Sequence, residues 1–94
     1  TSFSRLMYFR AEDEVQFLNR LLVQYEKETG TCPRNLAAFV RILPVSTRQL
    51  MQNGGMSFDS SSFPLDPFGT PYSFNGNTCT AGIDAGSEVA RWKD

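Results

Sequence analysis

The two cysteines carry the most distinctive chemistry of this chain. Cys32 and Cys79 lie far apart and form no Cys-x-x-Cys pair, which argues against a thiol redox motif or a zinc site. They are either two unrelated buried thiols or the halves of one disulfide. We expect the disulfide, because small exported domains commonly need a covalent link, and a loop of this length stabilises a fold by about 4 kcal/mol.

The other polar residues do not form a recognisable enzyme site. The chain has no histidine, which removes the commonest general base and the commonest metal ligand. Asp13 and Glu14 are helical neighbours that point to different faces, and the serines at 60–62 have no histidine partner. The glycines at 54 and 55 are followed by no lysine, so no phosphate loop is indicated. We expect neither enzymatic activity nor a cofactor.

The charge balance gives no reason to expect a nucleic-acid partner. The formal net charge is −1, and the nine lysines and arginines are spread along the chain. No apolar run approaches the roughly 18 residues of a membrane span. The sequence begins with threonine rather than methionine, and we expect that an N-terminal segment precedes it in the intact protein.

Apolar periodicity predicts one long helix over residues 2–29. Val15, Leu18 and Leu22 recur at three- and four-residue spacing, and Gly30 supplies the C-terminal cap. At about 1.5 Å per residue this helix would be about 40 Å long. Asn35 is a good N-cap for a short helix over residues 35–43, and a second short helix is predicted over residues 47–52.

The region 63–93 changes period and is predicted to be β structure. Asn75-Gly76 favours a tight hairpin turn, after which residues 78–83 would form the returning strand. Residues 88–92 would form a last strand, with Trp92 covering one edge of the sheet. We therefore predict one α+β domain over residues 1–94: a long helix, one or two short helices and a small antiparallel sheet.

The start of the long helix is apolar on nearly every side. The residues responsible are Phe3, Leu6, Met7, Tyr8 and Phe9. A single core cannot cover all of them. Either a longer membrane-embedded helix or neighbours in an assembly would cover them, or the helix terminus is frayed and its aromatic residues are exposed.

Residues 65–74 combine a turn with the start of a strand. Pro67 fixes its own φ, and Gly69 can adopt a positive φ. Tyr72 and Phe74 then fall on one face of the strand. The segment predicts a hairpin-rich region that is anchored by aromatic side chains.

This segment resembles the Asp-Pro-Trp-Gly-x-Pro-Tyr-x-Tyr signature of the pseudopilins of bacterial type II secretion and their type IV pilin-like relatives. The residues that carry the resemblance are Asp66, Pro67, Phe68, Gly69, Pro71, Tyr72 and Phe74. Phe68 and Phe74 stand where the family usually has Trp and Tyr, so both positions keep an aromatic ring. The turn Gly30-Thr31-Cys32-Pro33 after the long helix is also similar to the family pattern.

The resemblance implies a structural subunit of a pseudopilus or pilus-like fibre. Such subunits are periplasmic domains anchored to the inner membrane by a hydrophobic helix, which is absent from this sequence, and they assemble with other pilin-like subunits. We expect the long helix to contact its neighbours through Arg5, Tyr8, Phe9 and Arg10. The alternative is a minor or tip subunit that recognises a secreted substrate or partner through the loop at 54–62.

The resemblance also raises the question of calcium, which the family's major member binds through an Asp-rich C-terminal loop. Here only Asp84, Glu88 and Asp94 could serve as carboxylate ligands. Calcium prefers a larger set of oxygen ligands, so we expect no bound metal. The cysteine pair is not part of the major pseudopilin pattern, and we hypothesise that a disulfide fixes the C-terminal segment in place of calcium.

Overall fold

A 27-residue helix, α1 (Phe3–Thr29), runs the length of the molecule in the computed structural model, which describes residues 2–93. Its length of about 40 Å matches the longest molecular dimension, 41 Å. The Ser2 hydroxyl accepts a hydrogen bond from the Arg5 amide at 3.2 Å, and Gly30 ends the helix with a φ of 73°. The long helix predicted from the apolar spacing is therefore present, with both ends capped by residues suited to that role.

Two short helices follow, α2 (Leu36–Ile42) and α3 (Val45–Asn53). Asn35 caps α2 as predicted, because its Oδ1 accepts a hydrogen bond from the Ala38 amide at 2.8 Å. Pro44 separates the two helices and stands at the N-cap of α3 without a side-chain hydrogen bond. Proline suits a helix start, since its missing amide proton would have no intrahelical partner there.

Within residues 2–93, four short strands form two separate antiparallel pairs. Strand β1 (Ser57–Phe58) pairs with β2 (Pro64–Leu65), and β3 (Ser73–Asn75) pairs with β4 (Thr80–Gly82). A single bridge between Leu65 and Pro71 connects the two regions. Strand β1 lies inside the segment at 54–62 that was expected to be a loop.

The hairpin between β3 and β4 differs from the predicted two-residue turn. Its loop spans residues 76–79, and the Asn75 side-chain oxygen accepts hydrogen bonds from the amides of Asn77 and Thr78. Cys79, at the end of the loop, has a φ of 56°. The asparagine therefore organises a longer turn through its side chain, and the disulfide at Cys79 holds the last residue of that turn.

The predicted last strand at 88–92 is wrong, because Val89–Trp92 forms a 3₁₀ helix. The buried Ser87 hydroxyl accepts a hydrogen bond from the Ala90 amide, an interaction that favours a helical turn over an extended strand. Val89 is fully buried, and this 3₁₀ helix packs against α1. Trp92 is 39% exposed and lies in this 3₁₀ helix rather than in a strand.

The core lies between α1, α2 and the C-terminal half of the chain. Its most completely buried apolar side chains are those of Leu18, Leu22, Leu36, Phe39 and Val89. A disulfide between Cys32 and Cys79, with a Cα–Cα distance of 5.8 Å, joins the turn after α1 to the β3–β4 loop. This confirms the expected pairing. Within residues 2–93, no helix has the length and hydropathy needed to cross a bilayer.

Candidate functional site

Residues 65–74, the segment that resembles the pseudopilin signature, form a closed loop around a buried aspartate. Asp66 is 2% exposed, and its Oδ1 accepts hydrogen bonds from the amides of Phe68 at 2.8 Å and Thr70 at 3.1 Å. Gly69, at the tip, has a φ of 90°, a conformation that favours glycine. Asp66 thus holds the loop in its turn conformation through these two hydrogen bonds. Pro67 and Gly69, which lie between the bonded positions, are residue types that suit such a turn.

Tyr72 connects this loop to the long helix. Its hydroxyl donates a hydrogen bond to Oε1 of Glu14 at 2.6 Å, and the side chains of both residues are buried. Burial raises the pKa of Tyr72, and the adjacent Glu14 carboxylate raises it further. The phenol therefore stays protonated and acts as a hydrogen-bond donor.

Glu14 is an acidic residue inside the apolar face of α1. Burial raises the pKa of its carboxyl, although the Tyr72 hydroxyl and the Arg10 guanidinium act in the opposite direction. Arg10 Nε lies 3.5 Å from Glu14 Oε2.

Of the two carboxylate oxygens of Asp66, Oδ2 is buried and has no hydrogen-bond partner within residues 2–93. The negative potential of Asp66 also raises the pKa of Glu14.

Arg10 and Tyr8, two residues of the assembly face expected from the sequence, both make contacts within the chain. Tyr8 is 6% exposed and belongs to the core, and its hydroxyl lies 3.3 Å from Glu12 Oε2. Arg10 donates to the Gly54 carbonyl oxygen at 3.1 Å, and a Cβ at Gly55 would overlap the Arg10 guanidinium. The expectation that Tyr8 is an exposed aromatic is wrong, because its side chain is buried in the core cluster.

The exposed part of this helix end is a narrower apolar surface than the sequence suggested. Phe3 is 69% exposed, Leu6 50% and Phe9 43%. The Arg5 guanidinium carbon lies 5.6 Å from the centre of the Phe9 ring, a distance typical of a cation–π contact. Arg5 and Phe9 therefore remain accessible to another molecule, as does the Arg10 side chain, which is 40% exposed.

A cavity of about 390 Å³ lies between α1 and α3. Its polar lining consists of Arg10, Asp13 and Glu14, and its apolar lining includes Phe17, Leu50, Met51 and Met56. Sequence reasoning missed this cavity, because the residues that form it come from segments about 40 positions apart. The only local signal was the apolar stripe of α1, which the core was expected to cover.

A second feature missed from the sequence is the contact between Asn19 and strand β4. Asn19 Nδ2 donates to the Ala81 carbonyl oxygen at 3.0 Å, and the Ala81 amide donates to Asn19 Oδ1 at 2.7 Å. The side-chain amide thereby completes the hydrogen bonding of one strand residue. A polar residue near the apolar face of a helix was the available signal, but its partner lies 62 positions away.

The candidate calcium ligands do not form a site in the described part of the chain. Asp84 accepts a hydrogen bond from the Gly86 amide at 3.1 Å, and Glu88 is exposed. Asp94 lies outside the described residues. Within residues 2–93, no group of three or more His, Cys, Asp or Glu side chains is arranged to hold a metal ion.

Comparison with known proteins assigns no family. No protein-family model matches this chain, and no match is found among curated proteins or solved structures. The loop around Asp66 and the exposed surfaces of α1 are therefore the features that indicate function.

Proposed function

We propose that this chain is a structural subunit of a pseudopilus or pilus-like fibre in bacterial type II secretion or a related system. The observation that carries the proposal is the exposed apolar surface of Phe3, Leu6 and Phe9 at the N-terminal end of α1. Apolar surface of this kind, on one end of a helix that is otherwise amphipathic, favours contact with other subunits.

The resemblance of residues 65–74 to the pseudopilin signature supports the same role. The order of elements agrees with it: a long helix comes first, short helices follow, and small antiparallel strands come last. Within this segment, Asp66 accepts hydrogen bonds from amides of the loop itself, and the Tyr72 hydroxyl donates one to Glu14 of α1. A role in holding the fold is compatible with a subunit whose function is assembly rather than catalysis.

The disulfide supports a periplasmic location. Disulfides persist in oxidising compartments, including the bacterial periplasm, and are rare in the cytosol. The subunit would be anchored in the inner membrane by a helix preceding Phe3, and a repeated head-to-tail contact that does not close on itself would build the fibre. Its mechanism would be mechanical, with other pilin-like subunits as its partners.

Incorporation into fibres tests this proposal. The chain would be placed after the membrane helix of a fibre-forming pilin, in a bacterium that assembles pili. We expect it in the sheared fibre fraction, detected with an antibody against the chain. Phe9→Asp should reduce incorporation, whereas Val23→Asp, at another exposed position of α1, should not. Retention of the wild-type chain in the membrane fraction, while an authentic pilin reaches the fibres, would contradict the proposal.

The alternative role is a tip subunit that recognises a secreted substrate or partner. The cavity between α1 and α3 is the observation that favours it. The loop first considered for this role is less suited, because Met56 is buried and β1 pairs with β2. Labelling along intact fibres separates the two roles: a tip subunit is found only at fibre ends, whereas a shaft subunit is found along their whole length.

A further inference from the structure

We propose that Phe3 and Leu6 of one copy, here called the knob, bind in the α1–α3 cavity of a second copy of this chain. This inference rests on the proposed assembly function and specifies one contact of it. The knob side chains are at least half exposed, and the cavity has a mostly apolar lining. Each surface therefore leaves apolar area in water that the other can cover.

The cavity is suited to apolar side chains. Phe17, Leu50, Met51 and Met56 form its apolar lining. Its volume of about 390 Å³ is near the lower limit of ligand pockets, roughly 300 Å³. Leu50 is 65% exposed, so a residue from outside can reach it without unfolding any element. The two methionines can adapt their shape to the inserted group.

The knob cannot fill the cavity of its own chain. Leu6 and Phe17 are fixed on one continuous helix, and a separation of eleven residues corresponds to about 16 Å along its axis. Leu6, Asp13 and Phe17 lie on the same helical face, since seven and four residues both bring a position back to that face. A knob that fills this cavity must therefore come from another molecule.

Charge complementarity indicates that the occupant is a second copy. Arg10 is paired with Glu14, which leaves Asp13 as the exposed acidic residue of the cavity lining, without an ion pair among residues 2–93. Arg5, beside the knob, lies over the Phe9 ring and likewise has no carboxylate partner within that part of the chain. When Leu6 enters the cavity of a neighbour, Arg5 can approach the Asp13 of that neighbour. Opposite charges at a contact favour the correct encounter.

Sedimentation velocity of the 94-residue chain over a concentration series tests the contact. We expect Leu6→Asp and Leu50→Asp each to weaken self-association at least tenfold, because a carboxylate would replace apolar surface on one side. Val23→Asp is the matched control, at a position that is 49% exposed on the same helix. A mixture of the Leu6→Asp and Leu50→Asp variants should recover pairing, because each supplies the surface that the other lacks.

A charge exchange gives a second, independent readout. Arg5→Glu and Asp13→Arg should each weaken association, and the variant with both changes should recover it. Association of Leu50→Asp equal to that of the wild type would overturn the contact while leaving assembly itself intact. A wild-type chain that stays monomeric would also overturn the contact, and the fibre proposal would then depend on the incorporation assay. Association that stops at two copies would support the contact and contradict a fibre.

Discussion

Tyr72 attaches the loop at residues 65–74 to the long helix. Its hydroxyl bonds to a buried carboxylate on α1, 58 positions away. Asp66 organises the loop, and Tyr72 places that loop on the helix. Tyr72 therefore contributes a hydrogen bond through its hydroxyl in addition to the packing of its ring.

Replacement of Tyr72 by Phe should cost about 2 kcal/mol, because a buried carboxylate would lose a hydrogen bond while the ring still fills its space. Urea denaturation measures this difference. Tyr25→Phe is the matched control, since the Tyr25 ring packs against Phe39 and that packing does not require the hydroxyl. Equal stability of Tyr72→Phe and the wild type would show that water satisfies Glu14 in its place.

The buried carboxyl of Glu14 makes the free energy of unfolding depend on pH. Because its folded-state pKa is raised above the reference value of 4.5, the folded protein binds this proton more tightly than the unfolded chain. The stability that this proton binding contributes is fully present at pH values below the pKa of Glu14 in the unfolded chain. It is lost as the pH rises through the higher pKa of Glu14 in the folded protein. Relative to Glu14→Gln, the wild type should gain stability when the pH is lowered from 7 to 4.

Denaturation of both proteins at several pH values between 4 and 7 provides this comparison. Glu26→Gln, at an exposed position of α1, corrects for the loss of one charge. A wild-type advantage that shrinks on acidification would mean that the ion pair with Arg10 outweighs burial at this carboxyl.

At the scale of elements, β4 is attached to α1 by the Asn19 side chain. Asn19→Ala should destabilise the protein by about 2 kcal/mol, because two hydrogen bonds are lost and the Ala81 backbone groups are left without partners. Asn19→Asp keeps the acceptor and should have a smaller effect, and Gln16→Ala is the exposed control on the same helix. Amide hydrogen exchange at Ala81 is expected to accelerate in Asn19→Ala. Unchanged exchange would show that the strand is held by β3 alone.

The elements differ in how well the sequence predicts them. The α1 helix and its Gly30 cap follow from local spacing, as does the Asn35 cap of α2, because these signals are contained within one element. The 3₁₀ helix at Val89–Trp92 is not predictable in this way, because the Ser87 hydrogen bond and the packing on α1 decide its conformation. Val89 is β-branched, a residue type that suits a strand equally well.

The exposed surface at the start of α1 and the α1–α3 cavity are also only partly predictable from the sequence. The apolar start of α1 is evident from the sequence, but Tyr8 is buried in the core whereas Leu6 is half exposed. The division of that segment into a buried side and an exposed side is a tertiary effect. The cavity next to Leu50 likewise depends on the angle between α1 and α3, which no local pattern encodes.

At the scale of the whole molecule, the disulfide is the covalent link between the two ends of the fold. Reduction, or replacement of both cysteines by serine, should lower the free energy of unfolding by about 4 kcal/mol according to the chain-entropy treatment. Denaturation with and without reductant, and with and without a calcium chelator, tests the hypothesis that a disulfide rather than calcium fixes the C-terminal segment. We expect a reductant effect and no chelator effect, and the opposite pattern would contradict this hypothesis.

The Cys32–Cys79 link also determines how the chain carries tension. A pulling force applied between the two termini passes across the covalent bond and bypasses the intervening segment, whose ends are 47 positions apart. At about 3.4 Å per residue, roughly 160 Å of contour length is withheld from extension. In single-molecule pulling, the oxidised chain should lengthen by that much less than the reduced chain when it unfolds. Under load the oxidised chain would therefore extend only outside this segment, and α2, α3 and the β1–β2 pair, which lie between the two cysteines, would be shielded from the pull.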